Sequence, residues 1–327
     1  MKCLLCLPLV AAVLSGCGGR SELELTRRAA EKGEVLAQHN LGLMYSHGHG
    51  VARDHAEAFK WFCRAADQGY ARAQHNLGLM YSTGLGVTED DPRAIQWYRK
   101  SAGQGFARAQ YALGRMYAQG EGVVRDDAKA REWLLKAAGQ SEMNAQYSLG
   151  AMYSRGRGVA EDSAEALKWF RRAAEQGSDE AQYSLGHMYF NGMGVPRDKA
   201  RALEWFRKSA GQGNATAQYV LGTIHMRDED HAGAAEWFRK SAEQGYAQAQ
   251  LALGYMYAYG RGIAEDDVQA VKWFRKAAEQ GDVGGQYHLG AAYLEGAGVT
   301  RDYDQAAKWF RKAAEQGISL DDLDVGP

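Results

Sequence analysis

The eight tryptophans of the chain are Trp61, Trp97, Trp133, Trp169, Trp205, Trp237, Trp273 and Trp309. They stand 36 residues apart at every step but one, the step from Trp205 to Trp237 being 32. A fixed period of this size marks a solenoid, in which each copy is one supersecondary unit that buries its apolar face by stacking on the next. The 327 residues are therefore expected to form one continuous array rather than several globular domains.

The repeat running from Ala145 to Glu180 shows the pattern. Ala145, Leu149, Met152 and Tyr153 fall at helical spacing and make one apolar stripe. Gly156 and Gly158 then end the helix and supply positive-φ positions. Asp162 is expected to cap a second helix, with Glu165 three residues later completing a capping box. That helix carries Ala166, Trp169, Phe170, Ala173 and Ala174 on one stripe and stops at Gly177, and Trp169 is expected to be largely buried. Loops this short make the two helices antiparallel. Gly150 lies inside the first helix, where glycine costs roughly 1 kcal/mol relative to alanine. It recurs as Gly42, Gly78, Gly114, Gly186, Gly222, Gly254 and Gly290, and close helix approach is the expected reason. The single loop aspartate is a cap rather than a metal ligand, because calcium takes roughly six to eight oxygens.

The pattern A-x-x-x-L-G-x-x-Y, G-x-G-V, D-x-x-x-A-x-x-W-[FY]-x-[KR]-[AS]-A-x-x-G resembles Sel1-like repeats, relatives of the tetratricopeptide repeat. The resemblance extends from Ala37 to Gly317, with repeats starting at 37, 73, 109, 145, 181, 217, 249 and 285. It implies an all-α fold, an αα-hairpin solenoid wound as a right-handed superhelix, and a role in protein interaction. Residues 25–36 match the end of a second helix and are expected to act as an N-terminal half-repeat cap. Residues 318–327 are expected to form a short cap, through Ile318, Leu320 and Leu323, or to fray. The sixth repeat lacks four loop residues, and either Asp228 or Asp230 is expected to cap its second helix.

Residues 1–16 read as a secretory signal peptide, with Lys2 before a short apolar core. Leu14-Ser15-Gly16-Cys17 resembles the lipobox of bacterial lipoproteins, in which the cysteine takes a diacylglyceryl group and becomes the acylated first residue. The alternative is an ordinary secretory signal with a cysteine nearby. By the same resemblance, glycine at position 18 leans toward the outer membrane. Residues 17–24 are expected to be an acylated cysteine and a tether reaching about 25 Å when extended. Cys3 and Cys6 leave with the signal and Cys17 is acylated, so Cys63 alone remains and no intramolecular disulfide forms. Some Sel1-like proteins are cysteine-rich and linked to β-lactam binding or hydrolysis; this chain lacks that framework. Beyond the N-terminus no apolar run reaches the ~18 residues that span a bilayer.

A net charge of −1 argues against a nucleic-acid surface, which needs a basic stripe. Five of the nine histidines, His39, His47, His49, His55 and His75, lie in the first two repeats. His39 and His75 share one repeat position, where Tyr111, Tyr147, Tyr183, Tyr219 and Tyr287 stand elsewhere, so aromatic substitution is expected rather than a zinc site of three or four convergent ligands. No nucleophile elbow, zincin motif or phosphate-binding glycine loop occurs. No catalytic, cofactor-binding or metal residue is assigned.

Positions 4, 7 and 11 of each first helix vary while the framework does not, and their spacing places them on one face. They include Asn40, Leu43 and His47, then Asn76, Leu79 and Thr83. By the resemblance this face lines the concave side. The candidate groove residues are Arg115, Arg155, His187, Asn191, Arg227, Tyr255, Tyr259 and His288. Tyr255 and Tyr259 lie one turn apart and have the chemistry of interface anchors, with Arg227 expected beside them. The leading reading is a membrane-anchored scaffold or adaptor that captures a protein or peptide. The alternatives are a cell-envelope enzyme or β-lactam-binding protein, and a purely structural spacer.

Overall fold

The structure, a computed structural model, describes residues 18–316; the signal segment, Cys17 and the tail 318–327 lie outside them. Its described residues form seventeen α-helices and no strand. They divide into two compact units. The N-terminal unit ends at Asp162 and holds α1 (Gly18–Glu31), α2 (Val35–His47), α3 (His55–Asp67), α4 (Ala71–Thr83), α5 (Asp91–Gly103), α6 (Ala107–Gln119), α7 (Asp127–Gly139) and α8 (Met143–Arg155). The C-terminal unit begins at Ser163. It holds α9 (Ser163–Glu175), α10 (Asp179–Asn191), α11 (Lys199–Gly211), α12 (Ala215–Arg227), α13 (His231–Glu243), α14 (Ala247–Ala258), α15 (Asp267–Glu279), α16 (Val283–Glu295) and α17 (Tyr303–Ala314). Within each unit successive helices pack on one another, as the αα-hairpin reading requires.

The framework positions form the core. Ala73, Leu77, Ala109, Leu113, Ala217 and Leu221 are wholly buried. The helical glycines are there for close approach. A Cβ on Gly186 of α10 would stand 2.6 Å from the Phe206 ring of α11, and Gly78 meets Tyr98 in the same way. The second loop glycine serves a different contact. Gly194 has φ 66°, and a Cβ there would lie 2.4 Å from the carbonyl oxygen of Ser163 in the preceding repeat.

Two expectations about the helices are corrected. Trp169 is only half-buried, as are Trp97, Trp133, Trp205 and Trp237. The neighbouring side chain points inward instead: Phe170 and Phe206 are 4% and 2% exposed. The indole's outer face is covered by the cation three residues on, with Arg172 4.6 Å from the Trp169 centroid and Lys208 4.1 Å from that of Trp205. A cation over an indole is attractive and keeps its own hydration; the inner side still meets the core, as Trp133 packs against the cluster that holds Ala94 and Tyr98 of the preceding repeat. The capping box is also only half made. Asp54, Asp90, Asp126, Asp198, Asp266 and Asp302 each accept from the N–H three residues on. Their own N–H groups donate to the carbonyl of the framework tyrosine in the first helix, as Asp54 to Tyr45 and Asp162 to Tyr153, both at 2.9 Å. The donor that the box would satisfy is already used, and Glu57 and Glu165 pair with Lys60 and Lys168 instead.

Residues 18–24, expected as an extended tether, form the first half of α1. A helix rises about 1.5 Å per residue, so this stretch spans roughly 10 Å and not 25 Å. Leu23 and Ala30 of α1 pack with Leu41 and Trp61. In the shortened sixth repeat Asp230, not Asp228, is the cap and accepts from Gly233 N–H. Glu229 takes the left-handed conformation with φ 59° that glycines take in the longer loops.

A buried glutamine ladder joins successive repeats. Gln74 donates to the Ala66 carbonyl and accepts from Gln104, which also donates to the Gly69 carbonyl. The arrangement recurs at Gln38 with Gln68 and at Gln218 with Gln244. Gln38, Gln74 and Gln218 are buried at 5% exposure with their hydrogen bonds made, while their partners Gln68, Gln104 and Gln244 are exposed; pairing turns a buried polar group from a cost into a register constraint.

Candidate partner-binding surface

Position 5 is buried in every first helix of the repeats and position 1 in all but α2, whereas position 11 is exposed throughout and position 7 is exposed in α4, α6 and α10 and half-buried in the others. In α6, Ala109 and Leu113 are buried while Arg115 and Gln119 are exposed; in α10, Ala181 and Leu185 are buried while His187 and Asn191 are exposed. Framework and variable positions thus separate into two faces of one helix, and the variable face forms two depressions in the N-terminal unit.

The larger is a cavity of about 490 Å³ over α2, α4 and α6. His39 and His75 line it from the tyrosine slot and pack as tyrosines do. Their rings lie 5.7 Å from Phe62 and 5.5 Å from Tyr98, against 5.8 Å for Tyr183 on Phe206. Burial holds His39 below the usual imidazole range and pushes His75 down to about 4, with Arg72 and Arg108 adding repulsion in the same sense. Both rings are therefore neutral at neutral pH. His39 Nε2 accepts from the Asn76 amide at 3.2 Å, whereas His75 Nδ1 is buried and makes no hydrogen bond among the described residues. Arg72 and Arg108 stand exposed at the rim and form no ion pair among the described residues. Leu43, Leu79 and Leu85 supply apolar wall.

The smaller depression, about 200 Å³, gathers Arg115, Gln119, Ser148, Arg155 and Arg157 from α6, α8 and the following loop. Arg157 is held by Asp127 at 3.1 Å and by the Ala118 carbonyl. Arg115 lies 3.4 Å from Glu121, and Arg155 projects to solvent. The structure thus brings Arg115 and Arg155 together.

In the C-terminal unit, Asn191 donates to the His187 carbonyl, and Arg227 is exposed at the end of α12. Tyr255 and His288 meet: the Tyr255 hydroxyl and His288 Nε2 share a hydrogen bond of 2.5 Å, and the imidazole stacks on Phe274. Burial pushes His288 down to about 4 and Tyr255 up to about 12, so both are neutral. The Tyr255 polar handle is already engaged inside the protein. Tyr259 is 45% exposed and stacks on Tyr255 with centroids 6.2 Å apart, which leaves it the freer ring of the two.

Arg72, Arg108 and Arg157 escaped the position 4, 7 and 11 series because they fall outside it. For Arg72 and Arg108 the signal was the residue before each repeat start, where Leu36, Asn144, Glu180, Thr216, Gln248 and Gly284 stand in the other repeats; Arg157 lies between the two loop glycines Gly156 and Gly158. Among the described residues no group of three or more His, Cys, Asp or Glu is placed to hold a metal ion, and no helix is long and apolar enough to cross a membrane. Cys63 is half-buried, and burial raises its thiol to about 11.

Eight segments match the Sel1 repeat family: 35–70, 71–106, 107–141, 144–178, 179–214, 215–246, 247–282 and 283–318. Among solved structures the chain is similar to c5321 of uropathogenic Escherichia coli, described as a protective antigen displaying an SLR fold. It is 39% identical to that protein, with a TM-score of 0.67, over 92% of this chain and 73% of the other. It is also similar to a Sel1 repeat protein from Oxalobacter formigenes, 32% identical with a TM-score of 0.68, over 91% of this chain and 88% of the other. No curated protein sequence matches.

Proposed function

The chain belongs to the Sel1 repeat family, whose members generally mediate protein–protein interaction and are typically non-catalytic scaffolds. From that premise we propose that this protein is a membrane-anchored, non-catalytic adaptor of the bacterial envelope. It captures a protein or peptide on the variable face of its first helices and binds no nucleic acid.

The observation that carries the reading is the division of each first helix into a buried framework and an outward variable face, with Arg115 and Arg155 converging in one depression. Outward residues that helix packing does not dictate suit recognition. The anchor rests on Leu14-Ser15-Gly16-Cys17. Several acyl chains hold a protein more firmly than the marginal binding of one, at about 0.8 kcal/mol per buried CH₂, and by the lipoprotein resemblance Gly18 favours the outer over the inner membrane.

The test has two arms. Cys17→Ser is expected to abolish labelling by radioactive palmitate and to move the protein from the membrane to the soluble fraction; a variant that still labels refutes the anchor. Cross-linking in intact cells, followed by mass spectrometry, is expected to yield a protein partner that is lost when Arg72, Arg108, Arg115 and Arg155, which line the two depressions, are all replaced by Glu. An unchanged cross-link pattern in that folded variant refutes capture on this face.

A further inference from the structure

Three departures of the repeats from their own consensus converge on one place. Histidine replaces tyrosine at the third position only at His39 and His75. Arginine precedes the repeat start only at Arg72 and Arg108, and leucine fills position 7 only at Leu43 and Leu79. All six line the 490 Å³ cavity over α2, α4 and α6. Stacking does not require them, since the other repeats stack without them.

We propose that this cavity is the docking site for a partner's extended peptide segment that presents an acidic side chain beside a large apolar one. The proposal rests on the partner-capture reading and names the place and chemistry of capture. Three observations select the ligand. The first is charge: the lining contains Arg72 and Arg108 and no Asp or Glu, so two guanidinium charges stand without an acidic neighbour in the cavity wall. Guanidinium matches carboxylate geometry and is weakly hydrated, so it gives up water for a carboxylate more readily than an ammonium does.

The second is apolar surface beside that charge. Leu79 and Leu85 are each 45% exposed, with Phe62 and Phe106 deeper in the wall. A bare phosphate or a nucleotide backbone leaves that surface wet; a Leu, Phe or Trp side chain covers it. The third is unused hydrogen-bonding capacity. His75 Nδ1 is buried without a partner. A peptide N–H or C=O supplies what it lacks, since a neutral imidazole nitrogen either donates or accepts. The volume falls within the roughly 300–1,000 Å³ of ordinary ligand sites, which suits a short segment rather than a folded surface.

The test uses the full-length acylated protein in detergent and a library of random eight-residue peptides. Selection is expected to enrich Asp or Glu next to Leu, Phe or Trp. A resynthesised hit is then titrated against wild type, Arg72→Glu with Arg108→Glu, and Arg115→Glu with Arg155→Glu, all checked for folding by circular dichroism. The first pair is expected to weaken binding by about thirtyfold or more, as loss of a hot spot does, and Leu79→Ala by about tenfold. A control pair off the variable face, Arg207→Glu with Arg239→Glu on α11 and α13, is expected to leave affinity within about threefold. Hits without acidic enrichment, or hits indifferent to Arg72→Glu with Arg108→Glu, overturn the proposal. Displacement of the hit by millimolar inorganic phosphate also overturns it in favour of a bare anion site. Hits lost only in the Arg115→Glu with Arg155→Glu protein remove this cavity but keep capture on the variable face, whereas a library that enriches nothing removes both.

Discussion

Replacing Gly186 by alanine sets two effects against each other. In an unobstructed helix the change stabilises by about 1 kcal/mol, because glycine loses more backbone freedom on folding. In α10 the new Cβ would sit 2.6, 2.6 and 3.0 Å from three ring carbons of Phe206. Non-bonded carbons rest about 3.5–4.0 Å apart, so the ring or the helix must move by roughly 1 Å. Phe206 is 2% exposed and packed among Leu221, Ala202 and Ala217, so it has no free space to move into. Overpacking of this kind costs about 1–3 kcal/mol, and a displacement near 1 Å lies toward the upper end. The net expectation is a loss of about 2 kcal/mol. Gly211, at the end of α11, is the control, because a Cβ there meets nothing within 4 Å. Gly211→Ala is expected to be neutral or to stabilise by a few tenths of a kcal/mol to about 1 kcal/mol. Urea denaturation followed by far-ultraviolet circular dichroism reads the difference as opposite shifts in midpoint. At a slope of about 2 kcal/mol/M, the Gly186→Ala midpoint falls by roughly 1 M. A midpoint at or above that of wild type for Gly186→Ala refutes the close-approach explanation of all the helical glycines.

Phe170→Ala is expected to cost about 3–5 kcal/mol and Trp169→Ala clearly less, since Phe170 is buried while Trp169 lies half-exposed under Arg172; equal denaturation midpoints for the two refute the reassigned core. Stability is expected to fall with pH below about 6.5. His75 and His288 titrate near 4 in the folded chain and near 6.5 when unfolded, so the unfolded chain takes up the protons first. Their stabilisation is complete above about pH 6.5 and is lost as pH falls toward 4, each on the order of 3 kcal/mol. His75→Tyr, which restores the residue common at that slot, is expected to flatten this slope in denaturation midpoints measured from pH 7 to 4; an unchanged slope refutes the assignment to His75.

The sequence by itself determined the repeat, its two helices and their boundaries. Those features are local or periodic. Alanine and leucine at helical spacing, paired loop glycines and an aspartate before each second helix act within one turn of where they stand, and eight copies repeat the message. The tertiary structure decided what depends on how the helices pack against one another. The indole looked like the core because it is the largest apolar group; Trp61, Trp273 and Trp309 are buried, yet in the fourth and fifth repeats the more buried residue is the next one, Phe170 or Phe206, and Arg172 or Lys208 lies over the indole. Glutamine at the second position of every repeat was visible but silent, since its partners lie 8 residues behind and 30 ahead, as Gln74 shows with Ala66 and Gln104. His39 and His75 were legible as tyrosine replacements. That they share a cavity with Arg72 and Arg108 was not, because a cavity belongs to neighbouring first helices, and only stacking sets residues 36 positions apart side by side.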